Sequence, residues 1–204
     1  MYGGGEGGGS ILRGFEVSAA WRWTVYFLHL NCLACRMGLK KASEIFTIGA
    51  QVTESAVNTF TEQQIDLQLN PLDNEVLVIY AVDIQLGRPE YIDGVNTEVR
   101  AALTADSRTS LGNISQSTTL AEASASIASV AAVGGVAFEN RSMSDTPTGD
   151  VDYIGIVATS NLFFAIDGAL NTNAKTARVK IWCRRMIADA ATYSALVQSE
   201  LLSN

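Results

Sequence analysis

Over much of the chain beyond residue 60, apolar and polar residues alternate with the period of two expected of a strand with one buried face. In "QIDLQL", Ile65, Leu67 and Leu69 share one face, and Gln64, Asp66 and Gln68 share the other. "NPLDN" follows as a dense turn signal, with Pro71 fixing one dihedral and Asp73 and Asn74 tolerating unusual ones. "EVLVIYAVDIQLG" then places Val76, Val78, Tyr80, Val82, Ile84 and Leu86 on one face. Leu77, Ile79 and Ala81 line the other, until Asp83 and Gln85 take it over. This predicts a long strand buried on both sides at first and on one side later, as when a strand runs from the middle of a sandwich to its edge. "TEVRAALT" repeats the alternation, with Val99, Ala101 and Leu103 opposed to Glu98 and Arg100.

"TADSRTSLGNISQSTT" is a loop by composition. The stretch Leu120 to Val133, "LAEASASIASVAAV", is ambiguous: its alanines favour a short helix, while serine at every second or third position permits a strand or an exposed arm. "VAFEN" begins another strand, and "RSMSDTPTGD" reads as a loop. "VDYIGIVA", "NLFFAIDG" and "RVKIWCRRMI" are three closely spaced strands. In "DAATYSALVQSELL", Asp189 is placed to cap a helix over 189–202 that carries Tyr193, Leu196, Val197 and Leu201 on one face. Short strands joined by loops predict an all-β antiparallel sandwich with a short C-terminal α-helix. With about seven or eight strands by this pattern, a single jelly roll over residues 43–187 is expected, in one domain spanning 37–204.

Composition changes this picture little, except at the start. The chain has 204 residues, 48% of them hydrophobic and 17% charged, enough for a sizeable core and unlike a disordered chain. "MYGGGEGGGS" cannot build a core and reads as a flexible leader. The apolar run Thr24 to Leu30 is too short for a membrane span. Residues 1–36 could be a signal-like segment, although Glu6 and Glu16 accompany Arg13 where a positive start is expected; or Met37 could be the true start, with upstream sequence retained before it.

Candidate chemistry is sparse, and an enzyme is not expected. The lone histidine, His29, and the lone C-x-x-C, Cys32 and Cys35, all fall in that first segment, short of the roughly four ligands a zinc site needs. No nucleophile elbow, phosphate loop or dinucleotide fingerprint occurs. Asp66, Asp83 and Glu98 could form carboxylate pairs, but solvated acids on a sheet surface explain them better. Asp145, Asp150 and Asp152 supply the oxygen ligands calcium takes, although turn chemistry around Pro147 and Gly149 accounts for the same residues. Asn113 and Asn140 open N-x-S triplets, which matter only on a eukaryotic secretory route. No cofactor is implied.

Charge singles out one strand. The formal net charge is −7, which argues against a whole surface that grips nucleic acid or an anionic membrane. Yet in "TARVKIWCRRM" Arg178, Lys180, Trp182 and Arg184 share one face, with Val179, Ile181 and Cys183 on the other, and Lys175 and Arg185 flank them. Three readings of this basic stripe stand. It could touch nucleic acid, with Trp182 stacking on a base; it could meet acidic loops of a neighbouring copy; or the C-terminal helix, with Glu200, could fold back over it. In each it is a contact surface, not a catalytic one.

The lead into "IDLQLNPLDNEVLVIYAVDIQL" and the closing "RVKIWCRRMIADAATYSALVQSELL" resemble the jelly-roll coat proteins of tailless icosahedral viruses of prokaryotes, over most of residues 43–202 and in texture and strand order. The resemblance implies a non-enzymatic subunit of a virion, partnered by copies of itself and by other virion proteins, with loops making intersubunit contacts. Many small-virus coats carry an arginine-rich arm for the genome, whereas only Lys40 and Lys41 follow Met37 here. Sparse charge also suits large subunit interfaces. The same composition suits a secreted or cell-surface sandwich that binds a carbohydrate or protein, with Trp182, Tyr91 and Tyr153 as stacking candidates.

Overall fold

The computed structural model describes residues 38–131, 135–140, 144–145 and 152–202. The first segment with its histidine and C-x-x-C, and Asp150, lie outside them. The strands are β1 (Leu39–Lys41), β2 (Phe46–Thr53), β3 (Thr61–Asp66), β4 (Glu75–Leu86), β5 (Thr97–Thr104) and β6 (Thr119–Val130). They continue with β7 (Gly135–Asn140), β8 (Ser144–Asp145), β9 (Gly155–Val157), β10 (Asn161–Ala169) and β11 (Thr176–Ala188), and helix α1 (Ala190–Leu202) follows.

All pairings are antiparallel, in two sheets. In sheet I, β11 is hydrogen-bonded on one edge to β2 and β1 and on the other to β4, whose far edge carries β8 and β9. Sheet II runs β3, β10, β5, β6, β7. β2 to β5 alternate between the sheets, as do β9 to β11, and the early strand β2 lies beside the last strand, β11. That is a jelly roll: four strand positions per sheet in two interleaved Greek keys, with β7 added at an edge.

The core lies between the sheets. β10 contributes Leu162, Phe164 and Ile166, β11 contributes Ala177, Val179, Ile181 and Cys183, and β5 contributes Val99, Ala101 and Leu103, all buried. β6 settles the ambiguous alanine-rich stretch as a strand: Ala121, Ala123 and Ala125 are buried and alternate with Glu122, Ser124 and Ser126. A helix would scatter these alanines around its circumference. As a strand they offer a low, smooth face to the large Leu77 and Ile79 of β4 in the same cluster, so packing overrides helix propensity.

β4 departs from simple alternation. Trp182 of β11 pairs with Ala81 and the next residue, Cys183, pairs with Ile79, so Tyr80 is an extra residue in β4, a β-bulge. The bulge reverses which parity faces inward: Leu77 and Ile79 before it, Val82 and Ile84 after it. The sequence expectation of one continuous even-numbered face is corrected here, because Val76 belongs to a different cluster from Val82 and Ile84. The expected change from two-sided to one-sided burial holds, with Val76 to Ile79 all buried and Asp83 and Gln85 more open.

Turn chemistry follows the sequence closely. Asn70 caps the short 3-10 turn Pro71–Asp73, its side-chain oxygen accepting from the Leu72 N–H at 3.1 Å, and Asn74 takes φ 53°. Asp189 caps α1 by accepting from the Thr192 N–H at 2.7 Å, and these hydrogen bonds hold its carboxyl below the usual range. Tyr193, Leu196 and Val197 of α1 pack with Leu39, Val76, Ile156, Met186 and Ala188 in a second cluster on the outer side of sheet I. β9 covers only three residues of the expected "VDYIGIVA" strand, and "RSMSDTPTGD" includes the two-residue β8. The alternation that marks the other strands does not single out β2, yet Phe46, Ile48, Ala50 and Val52 alternate inward along it.

The core makes a direct test available. Phe164 is wholly buried, whereas its neighbour Phe163 points to the outer face and is only half-buried. Phe164→Ala is expected to cost about 3–5 kcal/mol of unfolding free energy. Phe163→Ala should cost clearly less, as read by the denaturant midpoint of each variant.

Candidate functional site

The outer face of sheet I divides into two regions. At the end formed by the start of β4 and the finish of β11, α1 covers an apolar patch around Val76, Ile156 and Met186. Beyond that patch, β11 presents Arg184, Trp182, Lys180 and Arg178 outward, because Cys183, Ile181 and Val179 occupy the inward positions. Arg178 and Lys180 are exposed, and Trp182 and Arg184 are half-buried.

Neighbouring strands complete this surface. β2 contributes Thr47, Gly49 and Gln51 opposite Trp182, Lys180 and Arg178, and all three are exposed. β4 contributes Ala81, Asp83 and Gln85 opposite the same residues. The bulge turns Tyr80 outward as well, and the Arg184 guanidinium lies over its ring at 5.7 Å from the centroid. The Lys180 ammonium sits over the Trp182 ring at 5.1 Å, and Arg178 Nε donates to Gln51 Oε1 at 2.9 Å. Cation and ring pairs within about 6 Å attract through the ring quadrupole and hold both partners in place. The surface is thus a pre-ordered patch of three cations and two aromatic rings, with the Asp83 carboxylate opposite Lys180 across the strand pair.

The stripe read from the sequence is therefore brought together for Arg178, Lys180, Trp182 and Arg184, and not for its flanking residues. Lys175 is buried at the loop end of the sandwich, where Nζ meets Glu90 Oε1 at 2.5 Å and the backbone N–H donates to Glu54 at 2.7 Å. Arg185 falls on the inward parity at the rim: Nη2 donates to the Leu67 carbonyl at 3.2 Å, and the guanidinium lies over Phe46. The reading in which α1 folds back over the stripe is corrected. The helix packs on Met186 and its neighbours, and the Glu200 carboxylate accepts from the Ala158 and Thr159 N–H groups at 2.7 and 3.0 Å. Tyr80 is the surface residue that the sequence reading missed. Uninterrupted alternation assigns it to the apolar face, and nothing in the local pattern announces the bulge.

The backbone of Asp145 pairs with Val82, its side chain lies outside the described residues, and Asp152 is exposed. Among the described residues no group of three His, Cys, Asp or Glu side chains could hold a metal ion. The Cys183 thiol is buried in the core, which pushes it up to about 11 against the milder opposing effect of Arg185. Glu98 and Asp167 flank Arg100, at 3.8 and 2.9 Å. Tyr91 stands in the loop after β4 with its hydroxyl toward Asp93, in a different segment from Trp182. No helix among the described residues is long and apolar enough to cross a membrane.

The loop end near Lys175 is tied by carboxylates. Glu54, buried, accepts from the Gly168 and Lys175 N–H groups at 2.8 and 2.7 Å, and a Cβ at Gly168 would come within 2.6 Å of it. Glu90 accepts from Lys175, Thr172 and Asn173, and its hydrogen bond to Lys175 is the first cause holding its carboxyl far below the ordinary range. A carboxyl depressed on folding stabilises the fold above its unfolded value, near 4.5, and that contribution is lost as pH falls below it. The melting temperature should therefore decline as pH is lowered from about 5 toward 3. Glu90→Gln should lower it at neutral pH and flatten part of the acid decline, and an unchanged profile in a folded variant would contradict the role given to Glu90.

No family model matches the chain, and neither does any curated protein. Among solved structures it is similar to the unassembled VP1 pentamer of Merkel cell polyomavirus, with 7% identity over 72% of this chain and 98% of that one, at a TM-score of 0.38. The same virus's VP1 in complex with the GD1a oligosaccharide matches at 6% identity over 74% and 98% of the two chains, with a TM-score of 0.40. Desmodium yellow mottle tymovirus matches at 10% identity over 72% and 91%, with a TM-score of 0.29. These neighbours are viral capsid proteins. At such scores the likeness says nothing of what this chain does, and the jelly roll rests on its own strand order.

Proposed function

We propose that this chain is a structural, non-enzymatic protein that assembles with copies of itself, as the coat subunit of a virion. The observation that carries the reading is the outer face of sheet I. There α1 covers the apolar region and stops short of a pre-ordered patch of cations and aromatic rings set in a chain of net charge −7. An acidic protein that concentrates fixed positive charge on a flat sheet face has its own surface as a complementary partner. Arg and aromatic residues are also the types enriched where protein surfaces meet.

The sequence resemblance to coat proteins of tailless icosahedral viruses of prokaryotes supports the same direction and supplies the finer placement. With the C-terminal helix docked elsewhere, the stripe is left with two uses, contact between copies and contact with nucleic acid. The net negative charge favours the first, since binding nucleic acid rests on phosphate neutralisation.

The full 204-residue chain, purified and passed through a sizing column with light-scattering detection, should form large defined assemblies. A monomer at every salt and calcium concentration tried would contradict self-driven assembly. Such a monomer that bound a glycan or a protein and lost the affinity on Trp182→Ala would instead be a surface-binding sandwich.

A further inference from the structure

The two outer faces of the sandwich carry opposite charge. Cross-strand partners project to the same side of a sheet, so the register of sheet II fixes what its outer face presents. Asp66 lies opposite Asn161, Glu62 opposite Ala165, Asp167 opposite Arg100, Glu98 opposite Ala169 and Glu122 opposite Ala102. The inward positions between them, Ile65, Leu162, Phe164, Ile166, Val99, Ala101, Leu103, Ala121 and Ala123, are all buried in the core. Among the described side chains the outer face of sheet II thus carries five carboxylates against the cation Arg100, and the nearby Asp106 and Arg108 pair adds no net charge. Among the described residues the outer face of sheet I carries Arg178, Lys180 and Arg184 against Asp83, with Glu44, paired to Lys41, close enough to Arg184 to feel its charge.

We infer that neighbouring copies meet heterologously, the basic outer face of sheet I of one against the acidic outer face of sheet II of the next. The inference rests on the self-assembly reading and names its interface. A head-to-tail contact of this kind closes into a ring when the rotation between copies allows. Unlike a two-fold contact, it brings opposite faces together rather than like ones. Part of this acidic face is already occupied within the chain: the loop after β5 lies against Glu62 and Glu122, and Ala102 and Ala165 are buried, so Asp66, Asp167 and Glu98 are the carboxylates left for a neighbour. On the basic side, the cation and ring pairs keep Lys180 and Arg184 ordered before contact, which lowers the entropy lost on association. On the acidic side, Glu62 and Glu122 are fixed by accepting the Arg108 and Ile114 N–H groups, while Asp66 remains exposed.

Charge swaps in the full-length chain test this pairing. Arg178→Glu with Lys180→Glu should weaken assembly at least tenfold in the concentration required, and so should Asp66→Lys with Glu98→Lys. All four sites lie on the surface, and melting curves check that each variant folds. Mixing the two variants, or combining all four substitutions in one chain, should restore assembly, because the swapped faces again attract. Wild-type assembly should also weaken as salt rises from about 0.05 to about 1 M, where the Debye length shrinks to about 3 Å. Wild-type assembly that is indifferent to salt and survives both swaps would overturn the interface while leaving a self-assembling subunit. Folded variants that fail to assemble, alone, mixed or combined, would overturn it as well. A monomeric wild type would remove both readings.

Discussion

The pairing of β11 with β4 is the constraint on which the rest of this molecule depends. β11 is thirteen residues long and is hydrogen-bonded along both edges, so its alternation sets the two faces of sheet I. Its inward residues, from Ala177 to Cys183, need a matching apolar row on β4, and β4 meets that need with two rows of opposite parity joined at Tyr80. Without the extra residue, either Leu77 and Ile79 or Val82 and Ile84 would face out. With it, both pairs enter the core, and Tyr80 and Ala81 appear together on the outside opposite Trp182. One irregularity thereby completes the core and furnishes the surface.

Size complementarity between the sheets follows from that arrangement. Where β4 faces β5 and β6, its large Leu77 and Ile79 meet Ala101, Ala121 and Ala123, so large residues fill the space there from one side and small ones from the other. Ser124 and Ser126 then have a simple account, since they occupy outward positions between the small inward residues Ala123 and Ala125 and their neighbours, whereas Ser129 is buried on the inward side. At one end of the sandwich Glu54 and Glu90 tie loops together through backbone N–H groups and Lys175. The charge of Lys175 is spent inside that tie, and this is why it takes no part in the exposed stripe.

Much of this was legible in the sequence because strand burial has period two. β5, β10 and β11, the turn at Asn70 to Asn74 and the Asp189 cap lie where alternation and turn chemistry place them, whereas β3 starts three residues before the alternating run and ends at Asp66, with Leu67 and Leu69 buried beyond it. β6 was ambiguous because alanine satisfies both a helix and a tightly packed strand, and only the opposing Leu77 and Ile79 decide between them. The bulge at Tyr80 was not legible, since an insertion that reverses parity within an all-apolar run leaves no polar residue to mark it. For the candidate surface, the outward set Arg178, Lys180, Trp182 and Arg184 followed from alternation alone. The separation of Lys175 and Arg185 from it depended on long-range partners, Glu90 and the Leu67 carbonyl.

An acidic jelly roll with one basic face has an electrostatic direction through its thickness. A capping helix that stops at Met186 leaves that direction expressed on the surface. We propose that this directionality organises contact between copies. The most direct measurement is an electron cryomicroscopy map of the species formed by the purified full-length chain. The expected map shows a closed assembly in which Trp182 of each copy lies in a contact with the Arg100 side of its neighbour. A map in which both outer faces are turned to solvent would contradict it.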